Sequence, residues 1–158
     1  MKLIGLCGEI GAGKDTIADY LIRKHEFTKI VMSDIITEEL KRLNREINRT
    51  EMQNIGKEYK EKFGMDVWAK ACLEYAKKNQ IRKVVISGIR DSAESDYFRK
   101  ALGKDFIFVY VTSDKDIRFQ RLLQRKSEKD PKNVEELEIQ ESREKELFNI
   151  YKLSLIHI

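Results

Sequence analysis

The sequence predicts an α/β fold in which a parallel sheet is covered by helices on both faces. Short apolar runs alternate along the chain with longer amphipathic stretches, the order that right-handed crossover connections produce. The first apolar run ends in a glycine-rich turn that opens directly into a helical pattern. Charged residues make up 37% of the chain and there is one proline, a composition suited to helices with solvated faces. The 158 residues suffice for one domain around one core.

The elements follow in order. Lys2 to Cys7, "KLIGLC", is a short apolar run ended by glycine, as expected of a buried parallel strand. Gly13 to Lys24 reads as a helix, with Ile17, Ala18, Leu21 and Ile22 at helical spacing. Thr28 to Met32 is a second strand, and Ser33 or Asp34 can cap the helix after it. Thr50 opens another helix, whose stripe is Met52, Ile55, Tyr59 and Phe63; Gly64 can end it. Asp66 can cap the next helix, which runs to about Lys78. Lys83 to Ile86 is a third strand, Ser92 to Lys100 a helix, Phe106 to Thr112 a fourth strand and Asp114 to Lys126 a helix. Pro131 lies in a charged loop, and Val134 to about Tyr151 is a last helix.

Several function classes are disfavoured by composition. The net charge is +4, from 31 basic and 27 acidic side chains well mixed along the chain, so nothing argues for a nucleic-acid partner. Cys7 and Cys72 are far apart and lack metal-ligand spacing, which fits reduced thiols in a cytoplasmic protein. No apolar run is long enough for a membrane partner to be expected, and no leader pattern is visible.

The chemistry starts at Gly8 to Thr16, "GEIGAGKDT", which follows a strand and opens a helix. It matches the phosphate-loop pattern G-x-x-x-x-G-K-[ST] except at its last position, which is Asp15. Gly8, Gly11 and Gly13, with Ala12 between the last two, let successive amide N–H groups turn toward one anion, and the helix start adds its positive dipole end. Lys14 can reach the β- and γ-phosphates of a bound nucleotide. A hydroxyl at position 15 would bind Mg²⁺. Asp15 can approach the metal instead, with Thr16 near the α-phosphate, or it can point away and leave Thr16 to supply the hydroxyl.

Further segments lie where a parallel sheet presents its ligand rim. Asp34 follows the second strand and can orient an acceptor hydroxyl, or simply cap a helix. In "ISGIRD", Gly88 permits close backbone approach and Arg90 can grip a phosphate with two N–H groups, or be a surface arginine after a turn. Arg118, Arg121 and Arg125 fall at i, i+3 and i+7, a cationic face suited to a lid over polyphosphate. The competing reading is a solvated basic face paired with the acidic helix from Glu135 to Glu146.

Together, "GEIGAGKDTIADYL", "MSDIITEEL", "RTEMQNIGKEYKEKFGMDVWAKACLE", "VVISGIRDSAESDYFRK" and "RFQRLLQRKSEKDPKNVEELEIQESRE" resemble, in that order, dephospho-CoA-kinase-like members of the nucleoside monophosphate kinase superfamily. The resemblance implies a three-layer P-loop NTPase fold over 1–152, with a helical acceptor region at about 33–80 and a lid at about 125–135. It implies ATP and Mg²⁺ as cofactors at Gly8 to Thr16, with a small nucleotide-like molecule as acceptor. Acceptor handling falls to Asp34, Arg49, Gln53 and Arg90. The lid carries Arg121 and Arg125, with Arg143 as a further member. Many relatives have Asp where Ser87 stands, which leaves Asp15 or Asp34 to hold the metal. Viral deoxynucleoside monophosphate kinases also carry G-K-D-T loops, so the acceptor can be a deoxynucleotide in place of dephospho-CoA.

The last six letters, "LSLIHI" at 153–158, match one reading frame of a transposon-end sequencing adapter. The expectation is a non-native tail replacing a final strand; the alternative is a natural edge strand.

Overall fold

The computed structural model describes residues 1–125 and 131–147, without the side chains of Arg49 and of 143–147. The centre of the expected lid and the 153–158 tail lie outside the described residues.

A four-stranded sheet has the order β2-β3-β1-β4, with β1 at Lys2–Gly8, β2 at Thr28–Val31, β3 at Lys83–Ser87 and β4 at Phe106–Val111. Every pairing is parallel. The helices are α1 (Lys14–His25), α2 (Met32–Arg42), α3 (Arg49–Phe63), α4 (Val67–Lys78), α5 (Ser92–Leu102), α6 (Lys115–Arg125) and α7 (Val134–Leu147). The register sets Ser87 opposite both Leu6 and Val31, and Gly8 opposite Val111. All four strands therefore end on one rim, which is where an open parallel sheet takes ligands.

Alternation along the strands divides the core between two faces. Leu3, Cys7, Val84 and Ile86 join Trp68, Cys72, Leu73, Phe98 and Phe106 on one side. Leu6 and Val85 face the other side and meet Ala18 of α1, flanked by Ile17 and Leu21. Each fully buried Leu or Val side chain contributes about 1.5–3 kcal/mol relative to its exposed state. Helix α4 is the most deeply packed: Trp68, Ala69, Cys72, Leu73 and Ala76 are all buried. Trp68 stacks flat on Tyr59 of α3 at 5.1 Å and donates its indole N–H to the Gly56 carbonyl at 3.3 Å.

The expected capping changes in three places. Helix α2 starts at Met32 with Val31 as its N-cap and no side-chain cap bond, so neither Ser33 nor Asp34 caps it; both lie in the first turn. Helix α3 starts at Arg49, not Thr50, because the Asn48 side chain accepts from the Glu51 amide at 2.8 Å. Asp66 stands at the α4 N-cap without a side-chain cap bond and pairs with Lys70 at 2.8 Å. Gly64 ends α3 as expected, at φ 104°.

Candidate functional site

The loop between β1 and α1 is shaped by its glycines and by what packs behind it. Gly8 has φ 140°, and a Cβ there would stand 2.0 Å from the Val111 carbonyl oxygen. Gly11 has φ 75°, and a Cβ there would meet the Arg118 carbonyl at 2.9 Å and Leu122 Cγ at 3.1 Å. Both positions therefore demand glycine twice over, for backbone conformation and for space. Gly13 is the α1 N-cap and offers no side chain, so the first amides of α1 have no side-chain cap there. Lys14 donates to the carbonyls of Gly8 at 2.6 Å and Glu9 at 2.7 Å. Its ammonium is thus inside the curl of the loop, where phosphate oxygens would be stronger acceptors than neutral carbonyls.

Arg118 pairs with the acidic helix, as the competing reading has it, but it is buried where both readings place it on an outer face. It is 4% exposed and does not share an outward cationic face with Arg121 and Arg125, which are exposed. Its Nη1 donates to the Ile10 carbonyl at 3.1 Å and also to Glu141 of α7; its Nε donates to the Ser113 carbonyl at 2.9 Å. Glu9 lies 3.7 Å from its Nη2 and accepts from the Thr112 hydroxyl at 2.8 Å. A buried guanidinium needs several acceptors, and these partners supply them from the loop, α7 and the end of β4. Arg118 is a clip behind the loop. Lys115 also pairs with Glu138, so part of the basic helix does face acidic α7. Arg121 instead turns to the loop, its Nη1 3.4 Å from the Ala12 carbonyl. Arg125 is near enough to lower the Asp15 pKa.

Asp15 is an exposed carboxylate in the first turn of α1, and its Oδ1 accepts from Lys29 of β2 at 2.8 Å. That hydrogen bond is the largest of the causes that hold its pKa below the ordinary carboxylate value, with the charges of Lys29, Arg125 and Lys14 adding to it; burial opposes them. Thr16 is exposed beside it, and Ser87 is buried at the end of β3. Among the described residues no three His, Cys, Asp or Glu side chains gather into a metal cage. This donor set fits a Mg²⁺ carried by nucleotide, since that ion takes most of its oxygens from phosphate and water and needs only one or two carboxylates.

The residues expected to handle an acceptor are placed more loosely. Asp34, Gln53 and Arg90 are exposed, each on a different element, and Asp34 and Arg90 follow strands that end on the loop's rim. The Arg49 side chain lies outside those described, as does that of Arg143. The backbone that carries Arg90 is nevertheless fixed. Glu94 is 1% exposed and accepts from the amides of Arg90 at 3.0 Å and Asp91 at 3.3 Å. Lys60 of α3 lies 3.2 Å from the same carboxylate and 3.8 Å from Asp91. The α5 capping box thereby ties the Arg90 turn to the acceptor-side helix. Lys29, Lys60, Glu94 and Thr112 carry no signal in the sequence, because none belongs to a local motif; Glu9 lies inside the loop pattern and Glu141 on the acidic helix, but neither spacing shows its contact with Arg118.

The AAA-domain family matches residues 4–149. A UPF0200 protein of Methanocaldococcus jannaschii is 34% identical over 137 residues, covering 85% of this chain and 68% of that relative. The chain belongs to the AAA-domain family and to the UPF0200 proteins. A UPF0200/UPF0201 protein of Archaeoglobus fulgidus is 34% identical over 148 residues; they cover 91% of this chain but 45% of that relative. Among solved structures, shikimate kinase from Bacteroides thetaiotaomicron superposes with a TM-score of 0.52 at 19% identity, covering 92% of this chain and 78% of the kinase. A gluconokinase from Sinorhizobium meliloti gives 0.52 at 14% identity, covering 89% and 73%. At such identities the likeness concerns the fold, which is the three-layer P-loop kinase fold. The relatives are UPF0200 proteins and carry no dephospho-CoA-kinase name, and no described helix is long and apolar enough to cross a membrane.

Proposed function

We propose that this chain is a small-molecule kinase that moves the γ-phosphoryl group of ATP to a nucleotide-like acceptor. One observation carries the reading: the glycine-shaped loop, with Lys14 inside its curl and Arg121 against its outer carbonyl, shares a rim with Asp34 and Arg90. Phosphoryl transfer asks a protein mainly for positioning and for cations around the moving group. The amides from Gly11 to Thr16 and the Lys14 ammonium bind the phosphate chain. Arg121 and Arg125 stand over the group in transit. Asp34 orients the acceptor oxygen and takes its proton as the new P–O bond forms and the bond to ADP breaks. Arg90, with Arg49 and Gln53, holds the acceptor's anionic end. Asp15 is the carboxylate that would hold a Mg²⁺ carried by ATP, and the ion would supply charge neutralisation on the phosphates.

Dephospho-CoA is the first acceptor to test, and deoxynucleoside or nucleoside monophosphates are the second. The experiment is a panel of acceptors with γ-labelled ATP, run beside Lys14→Met. Label on dephospho-CoA alone is expected, with at least a ~100-fold drop in the variant. Label on a monophosphate moves the acceptor to that class. ATP that binds and yields no labelled product on any acceptor sinks the kinase reading in favour of a nucleotide-binding regulator.

A further inference from the structure

The Asp15–Lys29 pair goes beyond the loop motif. A hydroxyl at position 15 would be neutral and open to a metal. Here the position holds a carboxylate, and an ammonium from another strand has reached it at 2.8 Å. Lys29 is fixed at its base, since β2 pairs it with Val85 in the middle of the sheet. Its side chain is 27% exposed, while Asp15 is 63% exposed. An ion pair this open contributes little to stability, so its main consequence is electrostatic. A carboxylate alone would repel an incoming polyphosphate, and Lys29 cancels that charge from within the chain. Lys14, Arg121 and Arg125 add cations at the same loop. Lys29 occupies Oδ1 of Asp15, so a divalent ion meets a carboxylate whose charge is already partly compensated.

Resting on the nucleotide reading above, we infer that Lys29 is the built-in countercation of the phosphate loop, letting it bind nucleotide phosphate with little dependence on Mg²⁺. Lys29 is then a residue that sets the form of nucleotide accepted, metal-bound or metal-free. Removing it leaves Asp15 with only the more distant charges of Arg125 and Lys14, and so makes binding lean more heavily on Mg²⁺.

The test measures binding of an N-methylanthraniloyl-labelled ATP analogue by fluorescence, once with excess Mg²⁺ and once with chelator. The parent chain is expected to bind in both buffers with affinities within about threefold. Lys29→Met, which keeps the aliphatic stem, is expected to lose about tenfold or more in chelator while changing little in Mg²⁺. Lys29→Arg should restore the parent ratio, and superimposable circular dichroism spectra of all three chains make the ratio a statement about charge. Parent binding with an unchanged ratio in Lys29→Met overturns this inference and leaves the nucleotide reading standing. No binding by the parent in either buffer overturns both.

Discussion

At the phosphate loop, position is set by backbone and by burial; on the acceptor side it is set by exposed side chains on separate elements. The loop is bounded by the Val111 carbonyl against Gly8, by Leu122 against Gly11 and by the Arg118 guanidinium beneath Ile10. Asp34, Gln53 and Arg90 have no such enclosure, although Glu94 fixes the backbone under Arg90. A phosphate chain is a constant ligand, and a rigid cradle suits it. An acceptor distinguishes one kinase from another, and the groups that would read it here can change without disturbing the core.

The largest effect that would break this contrast is at Gly8. Gly8→Ala places a Cβ against a backbone oxygen in a left-handed conformation, at an expected cost of about 4 kcal/mol or more. Urea denaturation checks it, and a loss below about 1 kcal/mol would mean that the loop is less constrained than its packing implies. Next comes Arg118→Met, which strips two carbonyls and Glu141 of their buried partner at about 2–3 kcal/mol. Arg121→Met, exposed at the loop's outer side, should change stability by under about 0.5 kcal/mol and slow phosphoryl transfer instead. Equal stability losses in the two variants would erase the distinction between clip and lid.

The smallest effect sharpens the acceptor side. Arg42 donates to Glu39, as does the Tyr59 hydroxyl, and together they lower the Glu39 pKa from 4.5 to about 2, against the opposing effect of burial. A depressed folded-state value means that this α2–α3 link is fully stabilising above pH 4.5 and is lost as the pH falls toward 2. Melting temperatures measured down that range should fall less steeply in Tyr59→Phe than in the parent. Parallel curves would show that the tyrosine adds nothing to the link.

The sequence made the loop legible because its chemistry is local: glycines, a lysine and a helix start lie within nine letters. The parallel sheet followed from alternation, and each expected strand is present to within a residue at its ends, while the order β2-β3-β1-β4 had no signal in the sequence. Arg118 follows the pairing with the acidic helix that was one of the two readings of this face, but periodicity could not show that it is buried and also bonded to the loop. Its partners are 108 residues away at Ile10 and 23 away at Glu141. The Lys29 contact with Asp15 spans 14 residues and two elements, so no spacing rule reaches it. The α2 cap was misplaced because β2 passes into the helix through Val31 with no polar turn between them. The acceptor is the least legible part, since exposed polar side chains look alike in sequence whether or not a ligand meets them.

The clip behind the loop also orders events during synthesis. The glycine-rich loop leaves the ribosome before its brace, because the guanidinium lies 108 residues beyond Ile10 and the carboxylate closing the clip 23 residues further on. A nascent chain shorter than that carries the whole motif without its brace. The loop must wait for the arrival of its brace, since the residues that back it are made long after it.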